Sequence, residues 1–274
     1  MGLFSRALVD RHAVEWVFDG VEWLIDAYAD APLGSGSERS RIFFRLPVPA
    51  DFPAAPDGVP LGEHLGCTVM TQLDFPPDGP VRLVAEEVRD AADLGGLATV
   101  TGDGRTACGQ YEAIPREDGS LDEIITYSEG ASAVQHVATF AHELSHALHL
   151  RAPDLPPAFD EGREMVELFT DLTAIFFGYG VFLANSRFEF AAFSEPDRQG
   201  WQARGAGYLP EREMVFATAL MAELGGVESD IYAPHLKPRL AKLVPLARKQ
   251  LARHAERVDA LRRRVPPDPP LPGD

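Results

Sequence analysis

The chain has 274 residues, 45% of them apolar and 24% charged, which excludes both a disulfide-bound miniprotein and a disordered chain. That length fits one large domain or two small ones. A formal net charge of −17 repels polyphosphate, so neither nucleic acid nor an anionic membrane surface is an expected partner.

From the N-terminus, Met1 to Asp10 is too short in apolar residues for a signal-peptide core, and Arg6 stands where a myristoylation signal needs Ser or Thr. The expected location is therefore the cytoplasm. Residues 11–30 place Val14, Val17, Phe18, Val21, Leu24, Ile25 and Tyr28 on one stripe of period 3.6, which predicts an amphipathic helix ended by the Gly/Ser cluster 34–40. Between Arg41 and Ser128 the signals turn to short β-type runs at 41–46, 97–101, 108–114 and 123–127, divided by Pro, Gly and Asp. They read as a twisted, mostly antiparallel sheet, with 81–92 as a helix crossing it. The two cysteines, Cys67 and Cys108, lack C-x-x-C spacing and read as buried or half-buried thiols.

After Gly130 the pattern becomes helical, over 132–150, 162–183, 212–224 and 239–264, the last kinked at Pro245. The longest apolar tract, 174–184, is too short to cross a bilayer. A strand-rich half (1–130) followed by a helical half (131–265) is the α+β pattern, with 266–274 as a disordered, Pro-rich tail. The last helix carries nine Lys or Arg against Glu256 and Asp259. Its Leu240, Leu243, Leu251, Val258 and Leu261 face should dock on the acidic body while the charges stay solvated.

The chemistry concentrates at His142-Glu143-Leu-Ser-His146. Four helical residues advance about 400°, so the two histidines share a face one turn apart and can converge on one ion. A catalytic zinc takes three protein ligands and a water, and Glu143 sits where a general base can reach that water. The flanking residues are apolar, so a buried His-Glu-His trio needs partners, and a metal supplies them. For the third ligand the next helix offers Glu167 and Asp171, again spaced i, i+4. One carboxylate can bind the ion while the other accepts the free N–H of a ligand histidine. Glu161 and Glu164 compete with Glu167 for that place. Pro153, Pro156 and Pro157 end the first helix and let the chain turn back. His149, about a turn past His146, reads as a packed or capping residue. An oxyanion stabiliser is needed if amides are cleaved, and Tyr232 and His235, before the last helix, are candidates.

Across about residues 122–185 the sequence resembles the gluzincin metallopeptidases, whose hallmark is H-E-x-x-H followed about twenty residues later by E-x-x-x-D. The glycine and histidine that a metzincin needs at positions 149 and 152 are replaced by His149 and Ala152. The stretch 167–185 also looks like a set of bacterial proteins that carry this zincin core. The resemblance implies a zincin-like fold in which His142, His146 and Glu167 bind Zn2+, Glu143 is the base and Asp171 orients a ligand. It further implies a peptide or protein substrate, laid along a sheet-edge strand just before the metal helix, here 123–127. The implied activity is zinc-dependent peptide hydrolysis; the alternative is a catalytically weak zincin scaffold with a regulatory or binding role.

Overall fold

In the computed structural model, residues 7–28, 44–76, 78–86, 109–191 and 209–265 are described, with the side chains of 187–191 left out. The first helix, α1 (Arg11–Tyr28), starts where the Asp10 carboxylate accepts the Ala13 N–H at 2.8 Å. It buries the predicted stripe against the helical half of the chain. The next, α2 (Leu61–Gln72), begins after Pro60 and buries Leu65, Val69 and Met70. No helix is expected there from sequence. Gly62, Gly66 and the β-branched Thr68 and Val69 weaken the local signal, and packing on the later helix α3 overrides it. On α2, Cys67 is exposed rather than packed; Cys108 lies outside the described residues.

Among the described residues the sheet has three strands, β1 (Val81–Glu86), β2 (Gly109–Pro115) and β3 (Leu121–Ser128), in the order β1-β3-β2. β1 runs parallel to β3, in the register Val81↔Glu123 to Glu86↔Ser128, and β2 pairs antiparallel with β3, Tyr111 opposite Ile125. Two expectations are thereby corrected. Residues 81–86 form a strand and not the start of a helix, because long-range pairing with β3 selects the two-residue alternation of a sequence that fits both periods. The sheet is mixed rather than mostly antiparallel. β3 is also its central strand, so 123–127 is not the edge; Glu123, Ile125 and Tyr127 are buried on its inner face. The expected strand at 97–101 lies outside the described residues. The described part of 41–46 is not a strand: the Arg45 N–H donates to the Gly178 carbonyl at 3.0 Å and the Leu46 N–H to Asp51 at 2.8 Å.

α3 (Ala133–His149) is opened by a capping box in which Ser132 and Gln135 satisfy each other's backbone N–H groups. It buries Val137, Phe140, Ala141, Leu144, Ala147 and Leu148. A 3₁₀ turn at Pro157–Asp160 reverses the chain into α4 (Arg163–Ala174). The predicted single helix 162–183 is broken by a wide turn, Ile175–Tyr179, before α5 (Gly180–Ala191). Gly178 has φ +97° there, a conformation open to glycine at little cost. The stretch Arg163–Ser186 is long and apolar enough to cross a membrane, but 78% of its most apolar window is buried inside the fold. It is a core helix.

α6 (Glu211–Leu224) is buried on nearly every face. Short helices α7 (Ser229–Tyr232) and α8 (Pro238–Ala241) lead to α9 (Val244–Leu251) and α10 (Ala255–Arg264). The expected long last helix is thus several pieces: Pro245 opens a new helix in its first turn instead of kinking one. Leu240, Leu251, Val258 and Leu261 dock as predicted, whereas Leu243 is only half-buried. The tail 266–274 lies outside the described residues.

Candidate metal centre

The faces of α3 and α4 that meet carry the motif residues. His142 and His146 lie one turn apart with ring centroids 5.1 Å from each other and planes nearly perpendicular. From α4, Glu167 Oε2 comes to 3.2 Å from His142 Nε2 and 3.4 Å from His146 Nε2. One ligand atom from each of the three residues falls within 4.8 Å of the others. Glu161 and Glu164 are exposed and outside this group, so Glu167 occupies the third position.

The outward side of each imidazole is also held. Asp171, one turn beyond Glu167, places Oδ1 2.8 Å from His142 Nδ1, and its Oδ2 accepts the Leu209 N–H at 2.8 Å. The Thr170 hydroxyl donates to the Val166 carbonyl at 2.8 Å, so toward His146 Nδ1, at 3.4 Å, it can only accept. With acceptors on both Nδ1 sides, the Nδ1 atoms carry protons and both Nε2 atoms turn to the Glu167 carboxylate; in the neutral imidazoles these are lone pairs, and an added proton on His142 Nε2 bonds to Glu167. Three acceptors pointed at one spot repel one another unless a cation lies between them.

The ionisation of the group expresses the same demand. Burial disfavours the His142 imidazolium, but its hydrogen bonds to Asp171 and Glu167 and the charges of Asp171 and Glu143 outweigh that and hold its pKa well above the usual histidine value. Burial would likewise raise Glu167, yet hydrogen bonds and charge from His142 and His146 hold it far below the usual carboxylate range. A proton is the smallest cation that satisfies the site. Two imidazole nitrogens and a carboxylate oxygen fit zinc, and they are a poor set for calcium or magnesium, which favour oxygen ligands. The His146 and Glu167 side chains remain 19% and 24% exposed, so solvent reaches the group.

Glu143 is buried beside the group without joining it. Burial pushes its carboxyl up, against the pull of His142 and His146 and of the Tyr111 amide N–H. That amide belongs to β2, the strand next to α3. At Gly109 a Cβ would strike Thr139 and approach Glu143 Cγ to 3.5 Å, so the bare backbone is what lets β2 come so close to the helix.

Other sequence candidates go elsewhere. His149 is fully buried against Phe159 and Phe169, donates from Nε2 to Thr173 Oγ1 at 2.9 Å, and is pushed down to about 3 by burial, so it is a neutral packed residue. Tyr232 packs on Phe44, and the His235 carbonyl accepts from Asn185 at 2.7 Å. Among the described residues, neither is brought into a hydrogen bond, ion pair or ring contact with His142, Glu143, His146 or Glu167.

Four residues without an expected role from sequence join this region, Tyr111 and Thr170 against His146 and Glu123 and Arg151 through Tyr111. Buried Glu123 on β3 pairs with Arg151 just past α3, and the Tyr111 hydroxyl donates to the same carboxylate. The Tyr111 ring lies parallel to His146 at a 6.1 Å centroid distance. Thr170 alone had a legible signal, since it shares the Glu167 and Asp171 stripe at i+3. No known protein family, curated protein or solved structure matches the chain.

Proposed function

We propose that this protein is a zinc-dependent peptidase, with His142, His146 and Glu167 holding the ion and Glu143 serving as the general base. One observation carries the reading: the Nε2 atoms of two histidines, each held through its Nδ1, and the Glu167 carboxylate converge on one point. Zinc bound there would polarise a carbonyl and lower the pKa of a water.

The chain's own residues supply the rest. Asp171 and Thr170 keep the Nε2 lone pairs of His142 and His146 available by holding the Nδ1 protons. Glu143, buried and raised in proton affinity, takes a proton from the attacking water and gives it to the leaving amine. The strand beside Glu143 is β2, at the edge of the sheet among the described residues, so an extended peptide would add along β2 and not along β3. The peptide class itself follows from the gluzincin resemblance.

The test is a proteome-derived peptide library incubated with purified protein as isolated, after chelation, and after zinc is restored. Cuts that vanish on chelation and return with zinc support the peptidase. A metallated protein that cuts nothing in the library points to the scaffold role instead.

A further inference from the structure

Tyr111 has three separate attachments around the metal group. Its hydroxyl is tied to Glu123, whose side chain is only 2% exposed and is neutralised by Arg151. Arg151 also donates to the Ala147 carbonyl, one residue past His146, at 2.8 Å, and its guanidinium lies 5.0 Å from the centre of the Phe75 ring. The ring of Tyr111 lies within 10° of parallel to the His146 imidazole. Its amide N–H turns toward Glu143.

These attachments differ in strength. The bond from His146 Nδ1 to the Thr170 hydroxyl is long, at 3.4 Å, against 2.8 Å from His142 Nδ1 to Asp171, and its acceptor is neutral. Of the two histidines, His146 is also the more exposed, at 19% against 9%. Its ring plane therefore needs a second restraint, and Tyr111 is the flat surface beside it. A tyrosine that is free at its hydroxyl could swing away; one bonded to a buried ion pair cannot.

Resting on the metal-centre reading above, we propose that Tyr111 is a positioning residue: tethered through its hydroxyl to the Glu123–Arg151 pair, its ring fixes the plane of His146 so that Nε2 faces Glu167. Tyr111 touches no ligand atom in this scheme and acts only through His146.

The test uses the full chain, stripped of metal by chelation and titrated with Co2+, whose visible d–d bands report both occupancy and the geometry of the ligands. Wild type should take up one Co2+ per chain. Tyr111→Leu removes the flat surface and should weaken Co2+ by about 10–100-fold, the range for partners that orient a metal ligand, with altered d–d bands. Tyr111→Phe keeps the ring and loses the tether, so its affinity and bands should fall between those of wild type and Tyr111→Leu. Far-UV circular dichroism of each variant reports whether it folds, and if the leucine variant does not, the phenylalanine variant decides alone. Wild-type affinity and bands in a variant with lowered thermal stability would make Tyr111 a packing residue only and overturn the proposal. Failure of wild type itself to bind Co2+ or Zn2+ is a different result, and it removes the metal-centre reading together with this one.

Discussion

His142 and Asp171 meet at 2.8 Å through the nitrogen that faces away from the metal group, and the other oxygen of Asp171 anchors the Leu209 N–H. One carboxylate thus holds the His142 ring on its Nδ1 side and ties the segment leading into α6 to it.

Removal of Asp171 and removal of Glu167 should therefore differ in kind. Glu167→Ala takes away a ligand and should abolish tight zinc binding, as should His146→Ala. Asp171→Ala leaves all three ligands and should weaken zinc by about 10–100-fold. It should also lower the melting temperature, since the stranded buried Leu209 N–H costs about 1–3 kcal/mol. Competition against a chromophoric chelator and a thermal melt check both effects. Zinc depletion in Glu164→Ala with normal content in Glu167→Ala would refute the ligand set.

A second prediction concerns acid. Burial would raise the Glu123 carboxyl, but hydrogen bonds from Arg151 and Tyr111 prevail and hold it below the usual carboxylate value of 4.5. A lowered carboxylate contributes stability in full above the unfolded value and loses it as pH falls through the folded one. In Arg151→Met burial is left to dominate, the carboxyl shifts up, and the sign reverses: the variant recovers relative stability as the pH drops. Urea unfolding at neutral pH should show a loss on the order of 2–3 kcal/mol, below the roughly 3–5 of a fully buried pair because Arg151 is 36% exposed. The gap between wild type and variant should narrow on acidification. A gap that widens toward low pH would contradict the assignment.

The centre was legible in the sequence because its spacing is helical. His142 with His146, and Glu167 with Asp171, are i, i+4 pairs on apolar stripes, and a helix turns such spacing directly into a shared face. What depends on distant pairing was not legible. The run at 81–86 fits either period until β3 lies alongside it, and whether β3 is an edge depends on where β1 and β2 land. Tyr111 reaches His146 only after the β2–β3 hairpin has packed on α3, so no local pattern announces it. Tyr232 and His235 have suitable chemistry but no periodicity that would place them at the group from sequence.

The basic C-terminal region is predicted to be structural. Arg257 pairs with Asp19 at 2.7 Å and Arg264 with Glu22 at 2.6 Å, so part of its charge is spent on α1. Gln250 accepts the Leu8 N–H at 2.8 Å and donates to the Val9 carbonyl at 2.9 Å, tying the residues just before α1 to α9. Truncation after Asp230 would uncover the faces of α1 and α6 against which Leu240, Leu251, Val258 and Leu261 pack, and should give an aggregating product. The milder Gln250→Ala should cost about 1–3 kcal/mol and leave zinc content unchanged. A soluble, metal-loaded truncation would instead mark this region as a partner-binding appendage.

The last prediction separates enzyme from scaffold. Glu143 is not one of the three converging ligands, so Glu143→Gln should leave both fold and zinc content intact. The amide keeps the shape of the carboxyl and removes its charge, which also ends the buried desolvation cost, so a small gain in stability is expected. What is lost is the group placed to accept the water's proton. Positioned general-base catalysis typically contributes about 10²–10⁴-fold, and turnover should fall by at least that much. Matched samples of wild type and variant, equal in zinc by elemental analysis and equal in melting temperature within a few degrees, are compared on whichever peptide the metallated wild type cuts. Undiminished cleavage by the glutamine variant would remove Glu143 from the mechanism. Lost cleavage accompanied by lost zinc would instead show that Glu143 helps to hold the ion, a role the geometry of His142, His146 and Glu167 leaves no need for.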